Sequence, residues 1–220
     1  MTAVDVAVPG ATTRSMVQTQ LGPLEVQLAT HRNSWNVFSL SGGLDDTSLP
    51  SQLNRWYATQ CNPRDCAPWQ PARGQSCLAW ADVQRGVRSP RVGGQIARNL
   101  AELLDGAVFA DPEVRRVEVL EPGLVDRFID NRSNRGTNPC YGAATAAIGA
   151  LDSIHVGSVV LGRPVQIVDP RLAFGSADVP IGLPGSSAGL IQTTTPSGYP
   201  NPGAAGQAEI AALAAKAVGA

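Results

Sequence analysis

The chain has 220 residues, with 17 basic and 18 acidic side chains and 43% hydrophobic residues, a length that accommodates one sizeable core or two small ones. A formal net charge of -1 and a pI of about 6.1 exclude the general positive field that draws proteins onto DNA or RNA phosphates, and no apolar run approaches the ~20 residues that cross a bilayer. The opening Met1-Thr-Ala-Val-Asp-Val-Ala-Val-Pro9 lacks the basic segment and long apolar stretch of a secretory leader, so synthesis in the cytoplasm is expected.

Residues 1–15 read as an extended arm, because Val4, Val6 and Val8 alternate until Pro9-Gly10 breaks the run. Met16 to Leu21, the turn Gly22-Pro23, and Leu24 to Leu28 then predict a hairpin, since Leu24, Val26 and Leu28 recur at period two. Trp35 to Leu40 extends the same sheet before Ser41-Gly-Gly-Leu-Asp-Asp46 stops it. A short helix over 51–58 follows from Leu49, Leu53, Trp56 and Tyr57, with Ser48 as its cap. From 59 to 92 the chain makes an excursion rich in Cys, Pro and Trp. Its lack of period marks it as a binding loop or a segment that wraps a neighbour.

The best helix covers 94–106, where Ile96, Leu100, Leu103 and Leu104 form one apolar stripe and predict a structural core, with Gly106 placed as a C-cap. Val114 to Leu120 reads as a strand and Leu124 to Asp130 as a turn or two of helix. Asn131 to Pro139 is a polar loop, and the alanine-rich Tyr141 to Ile148 is ambiguous. Ile154 to Leu161 and Pro164 to Val168 predict two strands joined at Gly162-Arg163. The segment 175–220 is rich in turn formers and ends in a short alanine-rich helix over about 205–218, with a small face of Ile210, Leu213 and Val218. The fold class expected is therefore α+β, an antiparallel β-rich core over 16–174 with one principal packed helix, an extended N-terminal arm and long loops.

Four cysteines, Cys61, Cys66, Cys77 and Cys140, are read three ways: free, bridged or metal-bound. Only Cys61-x4-Cys66 approaches the spacing of a zinc knuckle, and no leader directs the chain to an oxidising compartment. Cys140 with His155 as base and Asp169 as its orienter would make a thiol nucleophile, but no hydrolase elbow accompanies them. Phosphate loops, dinucleotide fingerprints and zinc-protease motifs are missing, so no catalytic residue, metal ligand or cofactor is assigned. Gly93-Gly94 at a helix start, the tripeptide Asn131-Arg-Ser133, lone His31 and the pair Asp45-Asp46 each have a plainer reading as a turn, a loop or a solvated charge.

Tryptophan and arginine commonly anchor protein interfaces. Sixteen arginines stand against a single lysine, Lys216, and all four tryptophans precede residue 81. Arg64, Trp69, Arg73 and Trp80 in or beside the excursion, with Tyr199 in the turn-rich C-terminal segment, are the expected interface residues. After Arg171 the only ionisable side chains are Asp178, Glu209 and Lys216, a composition suited to lying against another surface.

An arm, a modest core, a long excursion and a turn-rich last third together resemble the head, neck or tail structural proteins of tailed bacteriophages, which use arms and long loops to embrace neighbouring copies. The resemblance is one of architecture and composition over the whole chain, not of a motif. It implies a non-enzymatic virion component whose partners are copies of itself and other proteins of the same particle, with neither membrane nor specific nucleic acid among them. The alternatives are a thiol-dependent hydrolase or transferase using Cys140 and His155, and a zinc-stabilised adaptor.

Overall fold

A computed structural model describes residues 4–8, 10–47, 61–62, 65–66, 78–120, 141–160, 165–169, 191–192, 201–202 and 204–219. In chain order its elements are α1 (Thr13–Thr19), α2 (Leu21–Thr30), β1 (Val37–Leu40), β2 (Cys61–Asn62), β3 (Asp65–Cys66), α3 (Leu78–Arg88), α4 (Gly93–Ala110), β4 (Arg115–Val119), α5 (Tyr141–Val160), β5 (Gln166–Val168), β6 (Ile191–Gln192), β7 (Asn201–Pro202) and α6 (Ala204–Val218). The expected helices over 51–58 and 124–130 lie outside the described residues.

The expected antiparallel, β-rich core with one principal helix is overturned. The described residues are mainly helical, and their principal sheet is a small one of order β1-β4-β5 in which both pairings are parallel. Two short antiparallel pairs, β2 with β3 and β6 with β7, stand apart from it. Parallel neighbours need a crossover that returns the chain to the same end of the sheet. Here α3 and α4 lie between β1 and β4, and α5 between β4 and β5.

The predicted hairpin over 16–28 is instead two helices. Thr12 caps the first, its side chain accepting from the Ser15 N–H at 3.1 Å. Leu21, Leu24 and Leu28 are spaced as a helical stripe just as well as Leu24, Val26 and Leu28 are spaced as a strand face, and packing decides between them. Leu28 is buried, Leu21 and Leu24 rest on the core, and Val26 is 62% exposed. Pro23 fits in the first turn of α2, where a missing N–H costs no intrahelical bond.

Helix α4 buries Ile96, Leu100, Leu103, Leu104 and Ala107. It does not stop at Gly106: the chain continues helically to Ala110, and Asp111 closes it with an N–H to the Ala107 carbonyl. Gly106 serves packing, because a Cβ there would stand 2.6 Å from Leu21 Cδ1 and 2.8 Å from Glu25 Oε1 on α2. The strand predicted over 154–161 is also helical as far as Val160, within α5. Alanine-rich chain before it starts the helix, and Ala147, Ile148, Leu151 and His155 recur on its buried face, so tertiary packing overrides the β-branched Ile154 and Val156. Helix α3 occupies the last part of the expected excursion 59–92 and packs against α5.

Side-chain alternation along β4 divides the interior. Arg116 and Glu118 share a face with their β1 partners Phe38 and Leu40, and those two join residues of α1 to α5 in one apolar cluster. On the opposite face Val117, Val119 and Val168 meet Val218, Ile210 and Leu213 of α6. Two right-handed crossovers in the same direction place their helices on a single side of a parallel sheet, which leaves the other side for α6.

Candidate functional site

A parallel strand covered on both faces is ordinarily apolar throughout, and β4, Arg-Arg-Val-Glu-Val, is not. Its Glu118 is fully buried and meets the equally buried His155 of α5, Oε1 to Nδ1, at 2.5 Å. Burial of a carboxylate without such a partner would cost several kcal/mol, on the order of the penalty for any desolvated charge. Arg116 one register step away and Asp152 one turn before His155 are buried as well. Thus the helical layer closes over a polar centre.

The loop after β1 forms its lid. Gly43 has φ +93, and a Cβ there would lie 3.2 Å from His155 Nε2 and 3.3 Å from Ile96 Cγ2. A side chain at 43 is therefore opposed twice, by backbone conformation and by the imidazole. Asp46 then ties the loop to the start of α1, Oδ2 accepting from the Thr13 N–H at 2.6 Å and Oδ1 from its hydroxyl at 2.8 Å. Asn99 donates to the same hydroxyl at 3.0 Å, and Gln95 to Asn99 at 2.7 Å. Asp45 is half-buried beside it, and burial first, then the neighbouring Asp46 charge, pushes its carboxyl above the usual range. Asp46 thus ties the loop down and Asp45 sits half-buried beside it, where the sequence suggests a solvated turn.

This polar centre lies inside the fold and does not open onto solvent. Carboxyl ends of parallel strands are where α/β proteins place ligands, but Glu118 and His155 are sealed beneath Gly43. Of the residues in the thiol reading, His155 lies in α5 and Asp169 follows β5. Cys140 itself is outside the described residues, and the carboxylate on His155 Nδ1 is Glu118, not the expected Asp169.

Of the expected interface residues, Arg64, Trp69, Arg73 and Tyr199 lie outside the described residues, and Trp80 is placed in the first turn of α3. Cys77 lies outside them too, while Cys61 and Cys66 are backbone partners in the β2–β3 pair. Among the described residues no group of His, Cys, Asp and Glu is arranged to hold a metal ion, and no helix is long and apolar enough to cross a membrane.

The surface offers a feature that sequence reading missed. Phe109, near the end of α4, is 83% exposed and borders an open groove of about 510 Å³ between α2 and α4, lined also by Leu21, Glu25, Arg98, Glu102 and Asp105. Arg98, Glu102, Asp105 and Phe109 recur at helical spacing on the side of α4 opposite its buried stripe. Ending the helix at Gly106 hid this face; carrying the period one turn further would have put Phe109 among charged residues.

The chain matches no protein-family model, no curated protein and no solved structure.

Proposed function

We propose that this chain is a non-enzymatic structural subunit that assembles with copies of itself, and that the particle it builds is a virion. The single observation that carries the assembly reading is Phe109. An aromatic ring at 83% exposure, framed by Leu21 and a ring of charges, has the make-up of an interface anchor with a polar rim. Surface apolar residues scattered singly need no explanation, but a groove of this composition beside an aromatic ring does.

Other exposed apolar groups support the same reading. Trp35 is 51% exposed and Val37 39%, the latter on β1, an edge strand of the sheet. Val4 and Val8 stand exposed in the N-terminal arm. The virion setting rests on the layout of arm, excursion and weakly charged C-terminal third, and cytoplasmic synthesis followed by incorporation goes with it.

Sedimentation velocity of the purified chain over a concentration series tests the assembly reading. A defined oligomer that dissociates on dilution is expected. A chain that stays monomeric at every concentration, in low salt as in high, overturns it.

A further inference from the structure

We infer that the partner seated in the α2–α4 groove is a second copy of this chain, docked head to tail through the basic corner where α3 turns into α4. This deepens the assembly reading and rests on it. The groove is acidic: Glu25, Glu102 and Asp105 line it against Arg98 as its one basic residue. Phe109 and Leu21 supply its apolar floor and rim. The occupant that fits carries positive charge and presents a small apolar surface.

This chain displays such a surface at the start of α4. Arg85 and Arg88 lie one turn apart at the end of α3, and Arg91 follows in the connecting turn; all three are exposed. Arg85 pairs with Asp82 on its own helix, which leaves Arg88 and Arg91 as the outward charges of the corner, flanking the exposed Pro90. Arg98 reaches back toward this corner, its Nη1 only 3.6 Å from where a Gly94 Cβ would stand. From Gly93 to Glu102 is roughly 14 Å along the helix, so the basic corner lies at the start of α4 and the acidic residues in its middle and second half.

A groove-to-groove dimer would oppose like net charges, three carboxylates against one guanidinium in each groove, a repulsion that Arg98 relieves only in part. Corner against groove opposes unlike ones. Such a contact uses two different patches on each copy and so is heterologous: it repeats, closing as a ring or running on as a filament according to the rotation between copies. Its charge component is screened within about 10 Å at 0.1 M salt, so salt weakens it.

Two full-length variants test the arrangement. One reverses the corner, Arg88→Glu with Arg91→Glu; the other reverses the groove, Glu102→Arg with Asp105→Arg. Each alone is expected to sediment as a monomer where the unchanged chain is oligomeric, and an equimolar mixture is expected to reassemble, because the reversed corner then faces the reversed groove. Far-UV circular dichroism and thermal melting establish that each variant is folded. Should the groove reversal unfold the chain, Phe109→Ser, a change at an exposed side chain, takes its place and is expected to weaken association at least tenfold.

The outcomes separate two failures. An unchanged chain that never associates overturns the assembly reading itself. An unchanged chain that associates, while the corner variant associates equally well, leaves assembly standing and overturns the head-to-tail contact. Dissociation by the groove variant alone, with no rescue on mixing, does the same and points to an isologous or foreign occupant.

Discussion

On the face of β4 that carries Arg116 and Glu118, helices α1 to α5 close over the sheet, whereas the face that carries Val117 and Val119 is met, among the described residues, by α6. The thick layer accommodates buried charge because its helices bring partners: His155 to Glu118, and the Thr13, Asn99 and Gln95 chain to Asp46. The thin layer contains valines and a few residues of one alanine-rich helix. Polar side chains are buried where several elements converge to satisfy them; on the α6 side the polar contact is at the margin, where Arg115 donates to the Val218 carbonyl at 3.3 Å.

The largest expected effect comes from breaking the polar centre on the thick side. Glu118→Ala leaves His155 buried without its carboxylate and opens a cavity, and is expected to cost about 3 to 5 kcal/mol by chemical denaturation. Replacing both partners, Glu118→Leu with His155→Phe, removes the unsatisfied group along with the pair and is expected to recover much of that loss. A double variant as unstable as the single one would show that the pair holds the layers together and is not merely a satisfied polar contact.

Next in size is apolar truncation in the same layer. Leu104 is fully buried at the centre of α4, so Leu104→Ala is expected to cost about 2 to 5 kcal/mol, and Leu100→Ala as much. On the thin side Val218, the most buried side chain that α6 contributes to its cluster, is expected to cost only about 1 to 2 kcal/mol when changed to alanine. Hydrogen exchange sharpens the contrast: amides of α6 are expected to open by local unfolding well before those of α4. Equal protection of the two helices would make α6 an integral part of the core.

How much of this was legible in the sequence differs between the same two regions. Helix α4 was readable because Ile96, Leu100, Leu103 and Leu104 fit one period and no other, and β1, β4 and β5 were readable as strands. Their parallel arrangement was not, since direction is set by what lies between strands, and the connecting helix α5 was disguised by Ile154, Val156 and Val159 in a run that also suits a strand. Leu21 to Leu28 misled for a related reason: its leucines satisfy both periods, and only burial against α4 chooses. The Glu118 to His155 contact joins residues of two elements, one of them misread, and spacing along the chain holds no trace of it. Phe109 is within reach of the same period, one turn beyond the Gly106 at which a glycine C-cap would end the helix.

The smallest expected effect concerns the lid that covers the polar centre. Burial and the Asp46 charge raise the Asp45 carboxyl above its usual range, so the folded chain holds that proton more tightly than the unfolded chain does. Between the ordinary aspartate value of about 4 and the raised one, rising pH ionises Asp45 in the unfolded state first, and folding stability falls; above the raised value the penalty is complete and constant. Asp45→Asn has no proton to lose. It is therefore expected to be more stable than the parent at neutral pH, by a modest amount because the site is half exposed, and to lose that advantage as the pH falls below about 4. Thermal melting of both proteins from pH 3 to 7 measures the difference. An asparagine variant that is less stable than the parent at neutral pH would mean that the Asp45 charge has a stabilising role in the loop, and the lid would then be held by both aspartates and not by Asp46 alone.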